Sequence, residues 1–368
     1  MIHCLVYNIA LICAISSAEV DSSSEARRHY AWGVRYEKGG LFEDALVQYR
    51  AAASLDPENA KYRCALGELL YRLKEVRAAK DALLKAVDLD STYIRTYYIL
   101  ARIYYDEAKY DSVIQMYRNI LSLDPNRDDV RRSLAELYRY EGMDSEALHE
   151  FEVLLEDSPE DVGLLSAVGA LRLKLGRLEE ALEVYDMLAR LRPGDRKVER
   201  TVARIKRKLG DYEGALKMYR SLAEEDSSDC EAFLEVLALS RRLNRREEEV
   251  WALENLIRLK PKDTRFMAEL AGVYIDEGKL DKARKLLDRG LKLAPDDGAL
   301  LVMSGEYYWR KGERGRALEE YRRASADPRW KEYAERMILT LRAEMEQEKL
   351  KEERQKEEEF FRRGRRGS

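Results

Sequence analysis

The stretch that decides the fold runs from Asp124 to Asp161 and reads DPNRDDVRRSLAELYRYEGMDSEALHEFEVLLEDSPED. Pro125 and Pro159 bound it and lie 34 residues apart. Between the prolines, small residues such as Ala135 and the surrounding apolar residues have the spacing of two short antiparallel helices that approach closely. The stretch is therefore one helix–turn–helix unit.

The prolines show that this unit is repeated along the chain. Their positions differ by 34 residues, by twice that number, or by 33 at the last step: Pro57, Pro125, Pro159, Pro193, Pro261, Pro295 and Pro328. Ser91 and Ser227 replace the two prolines that the period skips. Small residues also recur with this period, at one position of the first helix and at one position of the second helix. A fixed period in this range predicts a repeat architecture.

These residues resemble the tetratricopeptide repeat family, whose pattern combines small residues, aromatic residues and proline over 34 positions. Nine repeats are predicted, and they begin at Ala26, Ala60, Ile94, Asp128, Val162, Arg196, Cys230, Thr264 and Gly298. The resemblance implies an all-α fold, an α-solenoid in which about nine helix pairs form a right-handed superhelix. It also implies that the first helix of each pair, helix A, faces the concave side. Solenoids of this type bind partners along that side.

The seventh repeat departs most from the pattern. Leu237 and Glu249 stand where small residues are expected, and Asn244 stands where six other repeats carry Gly. Leu253, Leu256 and Pro261 support its register. A local distortion is therefore expected here if it occurs anywhere.

Both ends of the chain differ from the repeats. Residues 1–18 contain no Lys, Arg, Asp or Glu and are mainly apolar, which predicts a cleaved signal peptide followed by a linker over 19–25. The protein is then exported, periplasmic or secreted. The alternative is a membrane anchor over residues 2–18.

After the repeats, which span 26–328, the helical pattern continues. Residues 329–345 keep apolar residues at helical spacing and predict a capping helix, which the end of a repeat array requires. Residues 346–368 are rich in Glu, Lys and Arg and predict a charged helical extension with a basic tail.

Composition argues for binding and against catalysis. The chain has 66 Lys and Arg against 70 Asp and Glu, so its net charge of -4 gives no general attraction to nucleic acid. Its three histidines and four cysteines form no cluster with the spacing of metal ligands, and no Gly-rich phosphate loop appears. We expect no enzyme activity, no cofactor, no metal site and no small-molecule substrate. Cys64 and Cys230 should be free thiols.

The family resemblance assigns positions 2, 5, 9, 12 and 13 of helix A to the concave face. Across nine repeats these positions hold eighteen Lys or Arg and eight Asp or Glu, which predicts a locally basic groove. The partner-binding residues proposed from this pattern are Lys174, Lys197, Arg200, Arg204, Arg207, Lys208, Arg241, Arg242, Arg102, Arg132, Arg139, Tyr98, Tyr105 and Tyr140.

The sixth repeat carries the most specific prediction, because all five of its concave positions are basic. An acidic, extended polypeptide should bind there, and the protein should act as an interaction scaffold or chaperone-like adaptor in an envelope or secretion assembly. The alternative is a membrane-anchored protein whose groove binds a polyanion, either nucleic acid or an anionic glycan. Tyrosines between the basic residues keep that alternative open, although nucleic acid is the less favoured partner.

Overall fold

The computed structural model describes residues 22–364, and it describes side chains as far as residue 359. The predicted signal peptide, residues 1–18, lies outside the described residues. The described part contains nineteen helices and no strand. The all-α solenoid predicted from the sequence is therefore confirmed.

Helix pairs follow one another along the chain, each pair joined by a short turn. Their bounds are 22–38 (α1) and Phe42–Leu55 (α2), Ala60–Arg72 (α3) and Val76–Leu89 (α4), Ile94–Asp106 (α5) and Tyr110–Leu123 (α6), Asp128–Tyr140 (α7) and Asp144–Asp157 (α8), Val162–Lys174 (α9) and Leu178–Leu191 (α10), Arg196–Lys208 (α11) and Tyr212–Glu225 (α12), Cys230–Leu243 (α13) and Arg246–Leu259 (α14), Thr264–Asp276 (α15) and Leu280–Leu293 (α16), and Gly298–Arg310 (α17) and Arg314–Ala324 (α18). A single long helix, Lys331–Gly364 (α19), follows.

The chain divides into two compact units, Met1–Leu191 and Arg192–Ser368. Each unit has its own buried residues, drawn from the facing sides of its helices. In the first unit Leu83, Leu100 and Ile103 are fully buried in one cluster. In the second unit Leu253 and Met267 belong to the largest cluster.

A glycine in helix A often faces a large side chain of the second helix, helix B, sixteen residues later. A Cβ atom built on Gly33 would meet the Tyr49 ring at 2.5 Å, and one built on Gly305 would meet the Tyr321 ring at 2.8 Å. The small residue is therefore required because the aromatic ring occupies the space that its side chain would need.

The turn between the two helices of each pair has one conformation throughout the described chain. One residue in each turn has a positive φ, between +54° and +87°, and these residues lie exactly one period apart: Gly40, Lys74, Ala108, Gly142, Gly176, Gly210, Asn244, Gly278 and Gly312. Six of the nine are glycine, which adopts this conformation without steric cost. Lys74, Ala108 and Asn244 are the exceptions.

Replacing Lys74 or Ala108 by Gly should stabilise the protein. Their φ values of 66° and 54° place a Cβ atom in the left-handed region, which costs an L-residue about 1–2 kcal/mol. Part of that gain is offset by the greater freedom of glycine in the unfolded chain, so we expect about 0.5–1 kcal/mol per substitution. Thermal melts followed by circular dichroism would show it. Gly142→Ala, at the equivalent position with φ 77°, is the matched control and should change stability in the opposite direction.

The seventh repeat keeps the phase of its neighbours despite its unusual residues. Asn244 has φ 55°, and α13 begins at Cys230, the residue at which the period places it. The buried Glu249 carboxylate, which stands where Ala was expected, accepts from Arg241 and Arg246, each at 2.9 Å. The departure here is small: α13 has 14 residues where α11 and α15 have 13, and the turn stays in phase. The two arginines neutralise the buried Glu249 charge.

The last helix closes the second unit. The first part of α19 buries Ala334, Met337 and Leu341 against α17 and α18. From Glu346 to Glu359 every side chain is exposed, yet the helix continues without a break. The predicted cap and the described part of the predicted charged extension thus belong to one helix, which is packed in its first part and exposed from residue 346 to residue 359.

Candidate functional site

The helix A faces form grooves in both units, and one further position lines them. Cavities on this face include side chains from positions 2, 5, 9, 12 and 13 and also from position 6. The position-6 residues that line them are Ala65, Ile99, Ser133, Glu269 and Met303. Position 6 was not among the five that the sequence reasoning considered.

On α11, two of the five predicted cations already have carboxylate partners. Arg200 pairs with Asp229 at 2.5 Å and with Glu231 at 2.8 Å, and Arg207 pairs with Glu235 at 2.7 Å. Asp229 is nearly buried, caps the start of α13 by accepting from the backbone N–H of Ala232, and raises the pKa of Arg200 through its hydrogen bond. These two arginines hold α11 to α13.

The other three predicted cations of this helix are free of such contacts. Lys197, Arg204 and Lys208 are exposed, and their side chains make no ion pair within residues 22–359. They lie at i, i+7 and i+11, which places them along one face of an α-helix over about 16 Å. We call these three residues the α11 cation row.

On α13, the two predicted cations make different contacts. Arg241 bridges Glu249 at 2.9 Å and Glu269 at 2.7 Å. The Arg242 guanidinium lies over the Tyr212 ring, 4.1 Å from its centroid. Only Arg242 therefore keeps its charge available to a partner.

In the first unit, three of the four predicted cations have carboxylates nearby. Lys174 pairs with Asp144 at 2.7 Å, Arg139 with Glu136 at 2.6 Å, and Arg132 lies 4.0 Å from Asp161. Arg102 makes no ion pair in the described chain and lies over the Tyr71 ring at 5.8 Å. Lys174 belongs to the first unit, and the α11 cation row belongs to the second.

The predicted tyrosines line two adjoining cavities of the first unit, which we call the tyrosine groove. The larger, about 1010 Å³, is lined in part by Tyr71, Tyr98, Tyr105, Tyr117 and Arg102. The smaller, about 400 Å³, shares Tyr105 and Tyr117 with it and adds Tyr110 and Tyr140. The structure therefore brings Tyr98, Tyr105 and Tyr140 together.

The carboxylates that neutralise the groove were missed by the sequence reasoning. Glu235 and Glu269 occupy position 6 of their helices, and each pairs with the position-12 arginine of the preceding repeat, Arg207 or Arg241. Each pair is separated by 28 residues in the sequence. That recurring Arg-to-Glu spacing was the signal that could have revealed them.

Neither metal ligation nor membrane crossing is indicated for the residues described. No group of three or more His, Cys, Asp or Glu among them is arranged to hold a metal ion. No described helix combines the length and apolar character needed to cross a bilayer. Cys64 is buried, Cys230 is half-buried, and both are free thiols.

Comparison with known proteins supports the repeat pattern. Models of the tetratricopeptide repeat match residues 33–74, 60–93, 94–127, 134–196 and 252–303. A tetratricopeptide repeat protein 21 homolog of Caenorhabditis elegans is 26% identical over 141 residues, which are 38% of this chain and 11% of that protein. The human DnaJ homolog subfamily C member 7 is 28% identical over 95 residues, 25% of this chain and 19% of that protein. The matched region thus spans only a small part of these relatives.

Solved structures with the same repeats were also found. A tetratricopeptide repeat protein from Parabacteroides merdae ATCC 43184 is 19% identical, covers 67% of this chain and 98% of its own, and has a TM-score of 0.37. The TPR domain of P58(IPK) is 16% identical, covers 88% of this chain and 99% of its own, and has a TM-score of 0.29.

The period and the repeated turn recur along the described repeats, and the family models match residues 33–127, 134–196 and 252–303. This chain belongs to the tetratricopeptide repeat family, whose repeats serve in general as non-catalytic scaffolds for protein partners.

Proposed function

We propose that this protein is a non-enzymatic interaction scaffold that binds an acidic, extended polypeptide. The observation that carries the proposal is the α11 cation row. Lys197, Arg204 and Lys208 are exposed and have no carboxylate partner within residues 22–359, whereas neighbouring cations have them. Like charges on one helix face repel. A partner that supplies carboxylates along an extended chain would offset that repulsion.

The length of the row gives the length of the extended segment that would span it. Its ends are about 16 Å apart along the helix, and an extended chain advances about 3.3 Å per residue. Roughly five residues of such a chain would reach from Lys197 to Lys208. An acidic segment of that length can contact all three cations at once.

Reversing the charges of the row should weaken binding of an acidic probe. We expect Lys197→Glu, Arg204→Glu and Lys208→Glu together to weaken binding of a fluorescein-labelled decaglutamate peptide by roughly tenfold to a hundredfold, because each exposed pair contributes up to about 1 kcal/mol. Fluorescence anisotropy would measure it. Binding by the unmodified protein should weaken with added salt, because exposed charges are screened.

The control variant makes the same change in net charge, but at residues of helix B instead of helix A. Lys217, Lys285 and Arg289 are exposed and make no ion pair in the described chain, so their reversal to Glu alters net charge equally. Arg200 and Arg207 are left unchanged because they hold α13 through Asp229, Glu231 and Glu235. Equal loss in both triple variants, or none in either, would show that the row does not bind the probe.

We further propose that the protein is exported and acts in an envelope or secretion assembly. The uncharged, mainly apolar residues 1–18 support this. Mass spectrometry of the exported protein should then find a new N-terminus near Glu19, whereas an intact Met1 in a membrane fraction would favour an anchored protein.

A further inference from the structure

The tyrosine groove exposes two large aromatic side chains to solvent. Tyr105 is 58% exposed and Tyr140 is 72% exposed, and both rings meet Tyr110 edge to face, at 5.9 and 5.4 Å between centroids. Edge-to-face contacts hold the rings in place and leave their outer faces open. Exposed aromatic surface of this kind marks an interaction site.

The carboxylates that line the groove are paired with arginines. Three carboxylates line it, and each accepts from an arginine: Glu68 from Arg95, Asp129 from Arg127, and Glu136 from Arg139. These distances are all 3.0 Å. The charge of each of these carboxylates is therefore neutralised within the protein, and the groove is not built for a cationic ligand.

Donors, by contrast, remain available. The buried Tyr98 hydroxyl makes no hydrogen bond within the described residues, and Arg102 has no carboxylate partner there. The hydroxyls of Tyr105 and Tyr117 also make none among the described side chains. Burial, with the adjacent Asp129 carboxylate, raises the pKa of Tyr98, so its hydroxyl stays protonated and able to donate.

A ligand that fits this groove offers hydrogen-bond acceptors and apolar surface. A proline-rich segment has this chemistry, because proline has no backbone N–H while its carbonyls remain free. The polyproline II helix exposes those carbonyls to its surroundings and makes no internal hydrogen bonds. Its pyrrolidine rings pack in aromatic-lined grooves, and its preformed shape reduces the entropy lost on binding.

We propose that the tyrosine groove of the first unit binds a proline-rich polypeptide in the polyproline II conformation. Tyr105 and Tyr140 supply ring faces, while Tyr98, Tyr117 and Arg102 donate to backbone carbonyls. This site is separate from the α11 cation row, so the two proposals can fail independently.

Binding of a fluorescein-labelled decaproline peptide to the full chain, measured by fluorescence anisotropy, tests the proposal. We expect saturable binding that changes less than twofold between low and high salt. Tyr105→Ala should weaken it at least tenfold. Tyr98→Phe, which keeps the ring and removes the hydroxyl, should weaken it about threefold to tenfold while leaving the melting temperature unchanged.

Two controls distinguish binding in the tyrosine groove from non-specific binding to exposed aromatic side chains. Trp32 is 44% exposed and does not line the groove, so Trp32→Ala should leave decaproline binding unchanged. The triple reversal of the α11 cation row should also leave it unchanged. Any one of three results would overturn the proposal. These are that decaproline does not bind at all, that the Tyr105→Ala variant binds it as tightly as the unmodified protein does, or that unlabelled decaglutamate displaces it.

Discussion

A chain that ends at Asp327 should lose the fold of its last helix pair. Removal of α19 uncovers Leu301, Val302 and Tyr321, which are at most 1% exposed in the intact structure. The packing partners lost with it include Met337 and Leu341, and deleting one such buried side chain costs about 2–5 kcal/mol. We expect reduced helicity per residue, a lower melting temperature and aggregation, measured by circular dichroism and light scattering.

A second truncation provides the control. A chain that ends at Lys349 keeps the packed part of α19 and the 2.8 Å ion pair between Arg314 and Glu348. All side chains described beyond that point, from Leu350 to Glu359, are exposed. Its melting temperature should change by no more than about 2 °C, since surface residues contribute little to stability. Equal effects of the two truncations would contradict the assignment of the cap to the first part of α19.

Gly305→Ala should destabilise the ninth repeat although alanine is the better helix former. The added Cβ would lie 2.8 Å from two atoms of the Tyr321 ring, and that ring is fully buried with its hydroxyl donating to Glu306 at 2.9 Å. Overpacking of this kind costs about 1–3 kcal/mol, which exceeds the gain of about 1 kcal/mol in helix propensity. Thermal or urea unfolding would measure the difference.

Gly315→Ala is the matched control, because it makes the same chemical change in α18 of the same repeat. A Cβ atom there would meet nothing within 4 Å. The variant should gain stability from helix propensity alone, by up to about 1 kcal/mol. If both variants shifted stability in the same direction, ring packing would not explain the glycine at position 305.

Periodicity predicted the helix pairs well because every repeat must end its helices and pack them at the same positions. Proline and glycine at fixed phases predicted where helices end, and α3, α5 and α7 begin at the residues that start their repeats. The turns at Lys74 and Ala108 were not predicted, since neither residue favours positive φ by itself. Their conformation is imposed by the packing of the helices on either side.

The electrostatics of the grooves could be predicted only in part. Lys197, Arg204 and Lys208, which came from counting charges at five positions, are exposed in the structure. That count did not reveal that Arg200 and Arg207 are paired. Of their partners, only Glu231 lies at one of the five positions, whereas Asp229 precedes the next helix A and Glu235 lies at position 6. Ion pairing depends on the distance between neighbouring helices, which a pattern on one helix does not contain.

The identical turns also bear on how such a chain changes in length. Ala108 and Gly142 have the same backbone conformation one period apart, and a Cβ atom on Gly142 would meet no neighbouring atom. Joining residue 108 directly to residue 143 would remove one whole repeat and keep every remaining helix in phase. Recombination at these turns can therefore add or delete complete repeats without requiring a new backbone conformation. The number of repeats, and with it the length of the binding surface, can change between related genes.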